Sequence, residues 1–183
     1  MHTQRGAGRR LAALLFTLLV AYGLMAYGLA AELCVTTAAG ETLLRLELTE
    51  GDTWCLLWNH SVTGFAVRDC YAYRDGQMLL ISHHTPDFAA GLGPTPGRGT
   101  VRSDGHGGYV ITGIDEPVSG NRYLLRVGSP RVDHRVAHGG RVYSLSEKAA
   151  GARAIVSIVG TATGEGSCPA STKAESGQKD RRG

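Results

Sequence analysis

The stretch WCLLWNHSVTGFAVRDCYAY, residues 54–73, constrains this chain more than any other. A strand turns successive side chains to opposite faces. Trp54, Leu56, Trp58, His60 and Val62 therefore share one face, with Cys55, Leu57, Asn59 and Ser61 on the other. Phe65, Val67, Asp69, Tyr71 and Tyr73 sort in the same way against Ala66, Arg68, Cys70 and Ala72. This period of two asks for an antiparallel hairpin with an aromatic face turned to a core. Two registers compete for it. With Thr63-Gly64 as a two-residue turn, Trp58 faces Asp69 and His60 faces Val67. His60 and Asp69 then become diagonal neighbours, roughly 7–8 Å apart at the backbone. The other register places Cys55 opposite Cys70, where a disulfide can close.

On either side the same reasoning yields more strands. Leu33–Thr37 and Thr42–Leu48 flank the turn Ala39-Gly40-Glu41, and Leu44, Leu46 and Leu48 alternate cleanly. Asp75-Gly76, a dipeptide that tolerates positive backbone angles, joins the hairpin to Gln77–His84 and makes a meander. Thr85 to Gly108 is rich in glycine and proline. Phe88 and Leu92 are expected to dock its first part on the sheet, and Pro94 to Gly105 to be flexible. Strands resume at Tyr109–Thr112, Arg122–Val127, Arg131–Ala137 and Arg141–Leu145. A short helical turn over Ser146–Gly151 precedes the last strand, Ala154–Val159. The expected fold class is all-β: an antiparallel β-sandwich or partly open barrel of about nine or ten strands, preceded by one N-terminal transmembrane or signal helix. The expected organisation is 1–31 as signal-anchor or signal peptide, 32–159 as the β domain and 160–183 as a disordered tail.

Leu11 to Ala31 is uncharged and follows Arg5, Arg9 and Arg10. As a helix it would span about 31 Å, close to a bilayer's hydrocarbon core. Arginines on its amino side hold that end in the cytoplasm and send the rest out. The expected location is the inner (cytoplasmic) membrane, with the N-terminus in the cytoplasm and the domain exported, periplasmic or extracellular. The same run, with small residues at Gly28 and Ala30, also suits a cleaved signal peptide. Export would place Cys34, Cys55, Cys70 and Cys168 where disulfides form. The net charge of +3 is concentrated at the two ends. The middle is close to neutral, so a nucleic-acid partner is not expected.

Strand geometry limits the chemistry open to these residues. His60 and Ser61 are adjacent and so point to opposite faces, which denies them the roles of base and nucleophile to each other. His134 and His138 stand about 13 Å apart in a strand and cannot share a metal. His83, His84 and Asp87, joined by His60 or His106, form a better set of metal donors, although spacing of this kind is common by chance. Arg68, Arg74, Arg98 and Arg102 could hold a carboxylate or phosphate, or simply carry surface charge. No catalytic residue, metal or cofactor is expected. His60 and Asp69 read first as a polar pair that satisfies itself within the core face.

Three pieces of sequence resemble the bacterial domain of unknown function family 1850. They are Trp58-Asn59-His60-Ser61-Val62, Val67-Arg68-Asp69 and Phe88-Ala89-Ala90-Gly91-Leu92, within a likeness spanning roughly Leu33 to Val159. Ala66 stands where that family tends to have proline, Asp69 replaces glutamate, and Ala89 and Gly93 replace glycine and proline. The resemblance implies company with tripartite ATP-independent periplasmic (TRAP) transporters, whose permease or solute receptor would be the partner. It carries no activity with it. The residues it marks for binding or framework are His60, Ser61, Asp69, Phe88 and Gly91. The expected function is that of a membrane-tethered accessory or interaction protein of such a transporter. The alternatives are a small-ligand- or metal-binding extracytoplasmic domain, or a hydrolase.

Overall fold

The computed structural model describes residues 31–87, 97–160 and 168–169. Eleven strands in two antiparallel sheets make up almost all of it. In chain order they are β1 (Ala31–Thr37), β2 (Thr42–Leu48), β3 (Thr53–Asn59), β4 (Ala66–Arg74), β5 (Gln77–Thr85), β6 (Thr100–Ser103), β7 (Tyr109–Pro117), β8 (Arg122–Arg126), β9 (Arg135–His138), β10 (Arg141–Ser144) and β11 (Arg153–Val159). A 3-10 turn at Ser119–Asn121 and a single helical turn, α1 (Ser146–Ala149), are the other elements. The smaller sheet has the order β2-β1-β11-β8 and the larger β10-β9-β3-β4-β5-β7-β6. Among the described residues no helix is long and apolar enough to cross a membrane. The expected N-terminal helix lies outside the described residues, apart from Ala31, which opens β1.

The two sheets close on one core, which makes the fold a β-sandwich. Leu33, Val35, Leu44, Leu48, Leu125, Val156 and Ile158 of the smaller sheet meet Trp54, Leu56, Tyr71, Tyr73, Met78 and Val136 of the larger. Each fully buried large apolar side chain contributes about 1.5–3 kcal/mol. The alternation seen in the sequence is what directs them inward: β11 runs exposed Arg153, buried Ala154, Val156 and Ile158, with half-buried residues between. Val67, His83, Thr85 and Ile111 are also buried but lie outside this central cluster, over β4, β5 and β7.

Most turn chemistry acts as expected. Asp75 and Gly76 both take positive φ, 50° and 73°, as a two-residue hairpin turn requires. Two expectations change. Thr100–Ser103, placed within a flexible Pro94–Gly105 segment, is a paired edge strand on β7. Gly99 makes that pairing possible, because at φ 68° a Cβ there would come within 2.6 Å of the Thr112 carbonyl oxygen. The strand expected over Arg131–Ala137 begins only at Arg135. Before it the chain makes a turned loop, with Asp133 donating its amide to Ser129 O at 2.9 Å.

Candidate functional site

On the core face of the larger sheet a carboxylate, an imidazole and two phenols come together. Asp69 on β4 stands opposite His83 on β5. His83 Nδ1 donates to Asp69 Oδ1 at 2.5 Å, with the histidine 1% exposed. Two residues along β4, Tyr71 stacks between Trp54 (5.7 Å between ring centroids) and Tyr123 of the opposite sheet (5.4 Å). Burial pushes the Tyr71 phenol well above its ordinary value, and the nearby Asp69 charge adds to the shift. Tyr123 shifts the same way, through burial and then the charge and hydrogen bond of Tyr71. Both phenols therefore stay neutral across the physiological range. Among the described residues, His83 Nε2 and Trp54 Nε1 are buried without a hydrogen-bond partner.

This grouping corrects the pairing of His60 with Asp69. The hairpin takes the register that places Cys55 opposite Cys70, and the two form a disulfide with Cα atoms 4.0 Å apart. Trp58 consequently faces Val67, and Asp69 faces Leu56. Four loop residues, Ser61 to Gly64, make the turn in place of Thr63-Gly64 alone. His60 N donates to Phe65 O at 2.8 Å, and Gly64 N to His60 O at 2.9 Å. His60 thus leaves the strand and organises the loop. Its ring stacks on Phe65 at 5.0 Å, and its Nδ1 lies 2.8 Å from Thr63 Oγ1 and 3.2 Å from the Thr63 amide. Along the strand it stands roughly 13 Å from the level of Asp69.

Ser61 is exposed at the rim of an open groove of about 600 Å³, whose other walls include Arg126, Val132 and His134. His134 is buried there and stacked on Trp58 at 6.1 Å. Its Nδ1 accepts from Gly128 N at 2.8 Å. Burial holds its pKa below the ordinary histidine value. Ser146 completes the knot: its hydroxyl donates to Gly128 O and accepts from His134 N, each at 2.9 Å. The groove floor is therefore rigid, and the one His134 nitrogen facing the Gly128 backbone is already occupied. Phe88 and Gly91, the other two marked residues, lie outside the described residues.

The donors considered for a metal do not converge. His83 turns inward to Asp69, while its neighbour His84 donates Nε2 to Asp104 at 2.7 Å. That bond, with the amides of His106 and Gly108, lowers the Asp104 carboxyl to about 2. The grouping of Glu32, Cys34 and Cys168 has the reach of a metal site, but its two sulfurs are bonded to each other. Of the four arginines singled out, Arg74 pairs with Asp115 at 3.1 Å and Arg98 with Glu116 at 2.9 Å, both acids on β7. Those two act as ties across the sheet.

The structure adds a fixture whose partner strand parity could not name. Cys34 on β1 is bridged to Cys168, across a sequence separation of 134. Cys168 N donates to Glu32 Oε2 at 2.9 Å, Arg45 Nη2 donates to Cys168 O, and Thr42 Oγ1 donates to Pro169 O at 2.7 Å. Cys168 is 2% exposed. Expected within a disordered tail, it is instead strapped over β1 and β2. The sequence signal was available: Cys34 falls between core residues Leu33 and Val35, on the outer face of its strand, where a thiol needs a cover.

Fold and site together define an antiparallel β-sandwich stapled by two disulfides, its polar pairs spent on holding strands and loops. Residues 55–145 match the family model described as Domain of unknown function (DUF1850), which supports the family suggested by the His-Ser-Val hairpin. No curated protein and no solved structure matches the chain.

Proposed function

We propose that this chain is an exported, membrane-tethered interaction module, accessory to a TRAP-type solute transporter. One observation carries the exported part: among the described residues no free cysteine is left, and all four are paired. Disulfides persist in oxidising compartments and are rare in the cytosol. The uncharged run that ends at Ala31 supports the tether, since β1 starts at that residue with no linker between. An accessory role is supported by the groups themselves. His83 is buried against a half-buried Asp69, and His60 and His134 are committed to loop backbone. The transporter as partner follows from the family resemblance.

The test is affinity capture of the tagged full-length chain from membranes of its own host. Permease or solute receptor is expected in the eluate. Failure to recover either, together with solute uptake unchanged when the chain is deleted, would overturn the reading. A second reading, small-ligand binding, is favoured only by the groove beside Ser61 and His134. A thermal-shift screen of transported solutes checks it, and a melting temperature that no solute moves rejects it.

A further inference from the structure

The outer face of the smaller sheet carries a charge pattern that no interaction among the described residues uses. Among the described residues β8 ends its sheet, pairing with β11 on one side and with no strand on the other. Arg122, Leu124 and Arg126 alternate along its outer face, opposite Ser157, Ile155 and Arg153 of β11. The three arginines are exposed and make no ion pair among the described residues, and Leu124 is 69% exposed between them. Arg126 and Arg153 stand directly across from one another, an arrangement that works against the sheet. Charge on an edge strand by itself guards against self-pairing. A guard needs neither an exposed leucine at its centre nor a third arginine on the interior strand.

We propose that β8 is a docking edge for an extended acidic segment of a partner protein, added as a further strand. Carboxylates at alternate positions of that segment meet Arg122 and Arg126, with Arg153 behind them, and an apolar side chain between them covers Leu124. Arginine suits the role because its planar fork binds a carboxylate through two hydrogen bonds. An anionic membrane is the less fitting occupant. β8 runs parallel to β1, and Arg126 lies past the level of Thr37, roughly 20 Å along the strands from Ala31. Glu32 and Glu47 face each other at the Ala31 end. A chain tethered through Ala31 thus turns acid toward the bilayer and holds Arg126 and Arg153 away from it, while Arg122, level with Cys34, lies roughly 10 Å from Ala31 along the strands. This inference rests on the interaction-module reading and names the edge through which it works.

The test titrates the purified full-length chain with a labelled peptide bearing carboxylates at positions one and five and leucine at position three. Binding is expected to weaken about tenfold in the R122Q/R126Q/R153Q variant, whose melting temperature does not fall because the Arg126–Arg153 repulsion is relieved. It is also expected to weaken when alternate peptide amides are N-methylated, and when one carboxylate is moved by a single position. No binding, or equal binding of the shifted peptide, overturns the proposal. So does arginine-dependent capture by phosphatidylglycerol vesicles without peptide binding, which would make the face a lipid contact. Peptide binding with no transporter subunit captured from membranes would remove the transporter and leave the edge standing. Subunit capture that survives the triple variant would do the reverse.

Discussion

At the scale of single residues, the polar groups of this protein are valuable for what they hold. Asp69 gives His83 its one hydrogen bond, and the other ring nitrogen already goes without. Asp69→Ala leaves a buried imidazole with no partner, so a loss of about 1–3 kcal/mol is expected in a denaturant titration. His60→Ala, at the exposed hairpin tip, should cost well under that. The opposite ranking would restore the His60–Asp69 pairing that the structure replaces. His134 makes the stability of the groove floor depend on pH. Its folded pKa is depressed by burial, so the unfolded chain binds the proton more readily. Its contribution is complete above the ordinary histidine value of 6.5 and is lost as pH falls below it. The urea midpoint should drop between pH 7.5 and pH 5, and His134→Asn should flatten that slope while lowering the midpoint throughout. An unchanged slope in the variant would assign the pH dependence to other groups.

At the scale of elements, strand parity reached the right faces and missed the right partners, for one physical reason. The two candidate hairpin registers differ by two residues, and side chains repeat every two, so both turn the same residues inward. Trp54, Trp58, Asp69 and Tyr71 were therefore placed on the core face correctly, while the neighbour of Asp69 depended on which register won. The Cys55–Cys70 bond and the four-residue loop closed by His60 select between them. Removing that bond with Cys55→Ser and Cys70→Ser together should cost about 3 kcal/mol for a 15-residue separation. The hairpin register should survive, since Trp54, Trp58 and Tyr71 remain packed; amide exchange protection across β3 and β4 reports it. Loss of that protection would mean that the bond alone sets the register. β6 was missed because its four residues are all exposed, so there is no inward face to alternate. Its pairing with β7 comes from the backbone approach that Gly99 permits.

For the whole molecule, the second disulfide joins the end of the described chain to its beginning. The Cys34–Cys168 bridge encloses nearly the entire domain, so a chain-entropy argument assigns it about 3–5 kcal/mol. Cys168→Ser should lower the unfolding free energy by that amount, moving the denaturation midpoint down, and expose one reactive thiol, at Cys34, to alkylation. Intact-mass measurement after alkylation without reductant should find no modified cysteine in the wild type. A chain made in a reducing cytosol should accept four labels and unfold at lower denaturant. Equal midpoints for the two preparations would separate the fold from its bridges and weaken the case for export.

Local patterns decided the all-β class, the meander from β3 to β5, most strand boundaries and the inward faces, because alternation and turn chemistry are properties of neighbouring residues. They also sufficed to mark an uncharged opening run and a family resemblance later matched over residues 55–145. Only the tertiary structure decided which histidine meets Asp69, where Cys168 goes, and that three arginines from β8 and β11 share a face at the end of the described sheet. Each of these depends on which strands are neighbours or on how far one has slid along another. A period of two carries no information about either.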